Sequence, residues 1–210
     1  MRRDAIGFQV SLDVEGRHAL VLGGGAEAAD KAQRLSDGEA WVTVITPAPG
    51  PEVLALVEAG RAMLRQRAFL AEDAASADLV LVCEPDEELA RQASRAAAET
   101  GAAFWANDRP ELSQLAMPAL ARLGRARLAI STGGAAPALA ARLRACFERD
   151  LGEEFAAFVE RLGVERERLL ESEPDPERRR ERLRALIEGF DVHITVRYPG
   201  GRAPEPPEPP

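Results

Sequence analysis

Between His18 and Leu35 a short apolar run, HALVL, breaks into three consecutive glycines, Gly23, Gly24 and Gly25, and then into a helical pattern that starts at Ala26. A second β-rich run, WVTVIT from Trp41 to Thr46, follows Asp37 and Gly38 and closes on Pro47, Ala48, Pro49 and Gly50. The order is therefore β-α-β with a glycine turn at its first corner. Gly23-Gly24-Gly25-Ala26-Glu27-Ala28 fits the pattern G-x-G-x-x-A. In that pattern the first glycine permits the tight turn, the next lets backbone N–H groups approach a pyrophosphate, and the small last residue lets the helix pack close to the strand. The helix N-terminus adds partial positive charge for phosphates without a basic side chain. Glycine triplets also occur in plain loops; the flanking strand and helix are what favour a nucleotide here.

The alternation continues. Pro51 to Ala59 reads as a helix, Ala62 to Arg67 as a strand, Asp78 to Cys83 (DLVLVC) as a buried strand, Glu87 to Thr100 as a helix and Ala103 to Trp105 as a further strand. Strands alternating with helices predict an α/β fold of Rossmann type, a doubly wound and mostly parallel sheet. After Asp108 the alternation stops. A loop flanked by Pro110 and Pro118 leads to an apolar run, Ala126 to Ile130, then to Ser131-Thr132-Gly133-Gly134 and a long helix from near Ala136 past Phe147. Helical patterns over Phe155 to Glu171 and Pro176 to Gly189 carry Arg and Glu three and four apart, as on a solvated face. Val192 to Val196 reads as a final short strand, and five of the last seven residues are proline, which predicts a disordered tail.

Hydrophobic residues at 46% and charged residues at 30% are ordinary for a globular chain, and no apolar run has the length of a membrane span. The charged opening residues predict no export signal. A net charge of −8 argues against nucleic acid and anionic membranes as partners. Lys31 is the single lysine, whereas Arg recurs through the middle of the chain at Arg109, Arg122, Arg125, Arg127, Arg142 and Arg144. Those side chains are either a solvated surface or a paired-donor grip on a polycarboxylate. Cys83 and Cys146 lack the spacing of a metal site, and His18 and His193 read as structural, so no metal ligand set is expected. An Asp or Glu that would hold a cofactor ribose is absent after Thr46, and no Arg or Lys stands between Trp41 and Glu52; the balance favours NAD over NADP.

Several blocks together resemble the NAD-dependent precorrin-2 dehydrogenases, including the N-terminal module of sirohaem synthases. They are an opening strand at Phe8 to Leu12, Val21 to Leu35 with Lys31, Asn107-Asp108-Arg109-Pro110-Glu111-Leu112, Met117-Pro118-Ala119, and Ile130-Ser131-Thr132-Gly133-Gly134 followed by Pro137. The resemblance spans roughly residues 6 to 165. It implies oxidation of precorrin-2 to sirohydrochlorin with NAD as hydride acceptor, ferrous-iron insertion in some relatives, a cytoplasmic homodimer joined through Met117 to Phe147, and a methylation step carried by another protein. It assigns Asp108 as the catalytic base, although Asn107-Asp108 before Arg109-Pro110 is also good turn chemistry. NAD contacts then fall on Gly23, Gly24, Gly25, Ala26, Glu27, Pro47 and Ala48. Ser131, Thr132 and Gly133, with Arg122, Arg125, Arg127 and Arg142, are the candidates for the eight carboxylates of precorrin-2.

The expected organisation is an NAD-binding domain over 1–117, a dimerisation segment over 118–149, a helical unit over 150–190, and a strand with the proline tail over 191–210. The chain departs from the family at Trp105, where an asparagine is usual, at Leu115, where an aromatic is usual, and at Glu84-Pro85-Asp86, where a Thr-Asp pair is usual. All three touch the cofactor pocket. The alternative readings are a non-catalytic module that binds NAD and tetrapyrrole, and an unrelated Rossmann oxidoreductase with a small substrate.

Overall fold

A computed structural model describes residues 9–198 and Gly200. Five strands, β1 (His18–Leu22), β2 (Trp41–Ile45), β3 (Met63–Arg65), β4 (Leu79–Val82) and β5 (Ala103–Ala106), form one sheet in the order β3-β2-β1-β4-β5. Every pairing in it is parallel. The linking helices are α1 (Ala26–Asp37), α2 (Pro51–Glu58) and α3 (Glu87–Thr100), with a short 3-10 turn at Ala71–Ser76.

Period-two alternation sorts the strand residues to two faces. Ala19, Val21, Val42, Val44, Leu79 and Leu81 join α1 and α2 in one cluster, while Leu20, Leu22, Ile45, Val80 and Val82 join α3 in the other. All four residues of β4 are buried, as befits a central strand covered on both sides. On α3 the buried residues are all alanines, Ala90, Ala93, Ala96 and Ala97, which let the helix lie close to the sheet. Its limits are set by local chemistry. Asp86 accepts the Leu89 N–H at 3.0 Å, and Gly101 takes the left-handed conformation at the other end.

Beyond the sheet, β6 (Ala119–Leu123) and β7 (Ala126–Ile130) pair as a hairpin, and α4 (Pro137–Ser172) and α5 (Pro176–Leu186) follow. α4 is two helices end to end, because Gly152 interrupts it with φ 58 and ψ −162. The chain divides into two compact units. One runs through Leu120 and includes Ala129–Cys146; the other comprises Ala121–Leu128 and the chain from Phe147. In the second unit the hairpin turn lies on α4: a Cβ on Gly124 would stand 3.2 Å from the Ala156 carbonyl oxygen.

Three expectations are corrected. Residues 9–14 form no strand, and Val10 and Leu12 are exposed; Phe8 lies outside the described residues. Val192 to Val196 forms no strand either, and Val192, Ile194 and Val196 are exposed. Alternation makes a strand only where a ladder partner satisfies the backbone. Conversely, β6 forms inside the segment expected to be loop. The proline tail lies outside the described residues, Gly200 excepted.

Candidate cofactor and active site

Because the five strands are parallel, the turns that follow them gather on one edge of the sheet. β1 lies between β2 and β4, so the chain winds outward on both sides of it, and the crevice at that reversal is where open α/β sheets bind ligands. The glycine turn follows β1, Thr46 to Ala48 follow β2, Cys83 to Asp86 follow β4, and Asn107-Asp108 follow β5.

The three glycines have different surroundings. Gly24 is buried, and a Cβ there would come within 2.1 Å of the Ala48 carbonyl oxygen and 3.1 Å of Thr46 Oγ1. Its peptide is held on both sides: its N–H donates to Glu84 Oε1 at 3.0 Å, and its carbonyl accepts the Gly50 N–H at 2.8 Å. Gly25 is exposed, has an ordinary φ of −87, and would bring its Cβ into open space. No side chain caps α1, which begins at the exposed Ala26. An open cradle against free first-turn N–H groups fits the phosphates of a dinucleotide. Pro47 and Ala48 are exposed beside it. The Glu27 carboxylate is turned to Lys31 Nζ at 2.6 Å, so what Glu27 offers a cofactor is its backbone.

Below the turn, two of the positions at which the chain departs from the resembled pattern share one packed region. Trp105 and Cys83 are buried in the same cluster, Leu115 packs against it, and Lys31 Nζ lies 5.3 Å from the Trp105 ring centroid. Trp105, where the resemblance expects an asparagine, and Leu115, where it expects an aromatic, thus belong to one packed region. Burial pushes the Cys83 thiol up to about 12, which makes it inert. Arg65, beside Ile45 in the sheet, and Arg67 both bind the buried Asp73 at 2.6 Å, and their guanidiniums hold its carboxyl down at about 2.

Asp108 is exposed and is one of two non-glycine residues with positive φ among those described, at 54. Aspartate tolerates this conformation better than most side chains, and such outliers concentrate at functional sites. Its turn is closed by the Arg109 N–H on the Ala106 carbonyl at 3.3 Å. Ser113, which sequence reasoning passed over, is the buried anchor of this turn. Its Oγ accepts the Ala106 N–H at 3.0 Å and donates to the Arg109 carbonyl at 2.8 Å. Its position inside the D-x-P-E-L-S run was the available signal.

After β7, Ser131 Oγ accepts the Gly133 N–H at 3.2 Å and Thr132 Oγ1 accepts the Ala136 N–H at 3.1 Å. Both hydroxyls act as acceptors in these bonds, which keeps their protons for other partners. The candidate arginines divide between the units. Arg142 is exposed on α4 in the first, and Arg122, Arg125 and Arg127 stand on the hairpin in the second. Arg125 lies along α4, bound to Glu160 at 2.8 Å and Glu167 at 3.0 Å, over Gly163, where a Cβ would meet its guanidinium at 2.7 Å. Arg127 donates to the Gly124 and Ala126 carbonyls. Among the described residues no group of three or more His, Cys, Asp or Glu side chains is placed to hold a metal, and no helix is long and apolar enough to cross a membrane.

Residues 10–119 match the family described as "Putative NAD(P)-binding", and residues 127–149 match the central region of sirohaem biosynthesis proteins. The siroheme synthase of Pseudomonas aeruginosa (strain PAO1) is 33% identical over 192 residues, covering 91% of this chain and 41% of the relative. That of Methylococcus capsulatus is 31% identical, covering 88% and 38%. The siroheme biosynthesis protein met8 of Schizosaccharomyces pombe is 28% identical, covering 83% and 67%. The chain thus spans about two fifths of the length of the bacterial synthases it matches. Among solved structures, that of SirC, a precorrin-2 dehydrogenase, superposes with a TM-score of 0.74 at 24% identity, covering 87% of this chain and 90% of the other. The shared architecture includes the region after the sheet.

Proposed function

This chain belongs to the NAD(P)-binding family, and from that premise we propose that it oxidises precorrin-2 to sirohydrochlorin with NAD. The observation that carries the reading is the placement of the open glycine cradle and the left-handed Asp108 turn on one edge of the sheet. NAD bound at the cradle supplies a hydride acceptor. The backbone N–H groups from Gly25 to Glu27 hold its pyrophosphate, and Pro47 and Ala48 border its adenosine half. Two features favour NAD over NADP: no basic residue stands between Trp41 and Glu52, and the nearby Arg65 is engaged by Asp73.

Asp108 takes up the proton that leaves the macrocycle as hydride departs, and the Ser113 hydroxyl fixes the turn that presents it. Ser131, Thr132 and the Gly133 backbone, with Arg142, receive substrate carboxylates; Arg122 and Arg127 are further candidate carboxylate ligands, and Arg125 becomes one only by leaving Glu160 and Glu167. The protein acts as a cytoplasmic homodimer. Leu139 and Leu143, one helical turn apart on α4 and both exposed, support an interface over Met117 to Phe147. The test is anaerobic incubation of precorrin-2 with the protein and NAD, followed by absorbance. Sirohydrochlorin and NADH forming in equal amounts support the reading; NAD binding with no conversion replaces it with the non-catalytic module.

A further inference from the structure

Glu84 is half-buried at the end of β4, and it lies against two residues of the glycine turn. Its Oε1 accepts the Gly24 N–H, and its Cγ stands 3.1 Å from where a Cβ on Gly23 would be. No cation pairs with it among the described residues. A fixed carboxylate therefore sits at the turn where the NAD reading, on which this inference rests, places a pyrophosphate. Oxidised dinucleotide offsets part of its phosphate charge with the nicotinamide cation, whereas reduced dinucleotide does not. A neighbouring carboxylate repels both forms and repels the reduced, more anionic form more strongly.

We propose that Glu84 sets the redox preference of the cofactor site, weakening NADH more than NAD and thereby favouring release of the reduced cofactor after hydride transfer. The contact with Gly24 also holds the turn, and Glu84→Gln separates the two roles, because the amide oxygen can still accept the Gly24 N–H while the charge is gone. Dissociation constants for NAD, NADH and adenosine are measured by calorimetry on wild type, Glu84→Gln and Glu84→Thr, with a thermal melt of each. Glu84→Gln is expected to tighten NADH on the order of tenfold and NAD by about threefold, the scale of one screened charge pair near a protein surface, and Glu84→Thr, which also gives up the Gly24 contact, is expected to shift the ratio of NADH to NAD affinity by the same factor of about three. Adenosine, which has no phosphate, is expected to bind all three proteins alike. An unchanged ratio of NADH to NAD affinity in proteins that bind NAD overturns the role of Glu84 alone, as does equal tightening of adenosine. Failure of every protein to bind either dinucleotide overturns it together with the NAD reading.

Discussion

The turn after β1 and the turn after β7 both run through consecutive glycines, and the neighbours of those glycines differ. At Gly24 the carbonyl of Ala48 leaves no room for a side chain, and at Gly23 the side chains of Glu84, Cys83 and Ala28 close in within 3.5 Å. At Gly133 and Gly134 a Cβ would meet nothing within 4 Å, but the backbone sits at φ 61 and 82. The first turn uses glycine because two backbone segments interlock at Gly24 and because Gly23 sits at φ 141, whereas the second uses it for dihedral angles alone. Gly25 meets neither demand. As the N-cap of α1, a position that glycine suits, it leaves open space in front of the helix, and on the NAD reading that opening marks the proposed cofactor cradle.

Substitutions separate these cases. Gly24→Ala has the largest expected effect on stability, about 3 kcal/mol or more, since the Ala48 backbone must move. Thermal unfolding should show it as a fall in Tm of roughly 6 to 12 °C for a chain of this size. Gly134→Ala has space and loses only conformational ease, about 1 kcal/mol, or roughly 2 to 4 °C. Equal losses at the two sites would break the comparison. Gly25→Ala should leave Tm within about 1 °C and weaken NAD at least about tenfold by calorimetry, because the methyl group fills the cradle. Unaltered NAD affinity there would mean that the phosphates lie elsewhere.

Much of the sheet was legible because its signals are local. The run Leu79–Val82 has no polar residue, Glu87–Thr100 is bracketed by Asp86 and Gly101, and the glycine turn sits between recognisable elements. What escaped depends on partners distant in sequence. β6 is alanine-rich and lacks β-branched residues, and it is a strand only because the turn at Gly124 folds it onto β7. Val10, Leu12 and the alternating residues from Val192 carry a strand pattern but find no ladder. The Glu84–Gly24 contact links residues 60 apart, and Arg125 reaches Glu160 and Glu167 from 35 and 42 residues away, so neither pairing was legible from local sequence. Asp108 was readable as a turn residue, but its left-handed backbone and the buried Ser113 anchor emerge only in three dimensions.

Asp108→Asn is the sharpest probe of that turn, because asparagine also tolerates positive φ and keeps the shape of the side chain while removing its basicity. Conversion of precorrin-2 by this variant with saturating NAD should fall on the order of 10²- to 10⁴-fold, with NAD affinity within about twofold of wild type. Wild-type conversion by Asp108→Asn would contradict the account, leaving the residue as a structural turn and the proton acceptor elsewhere.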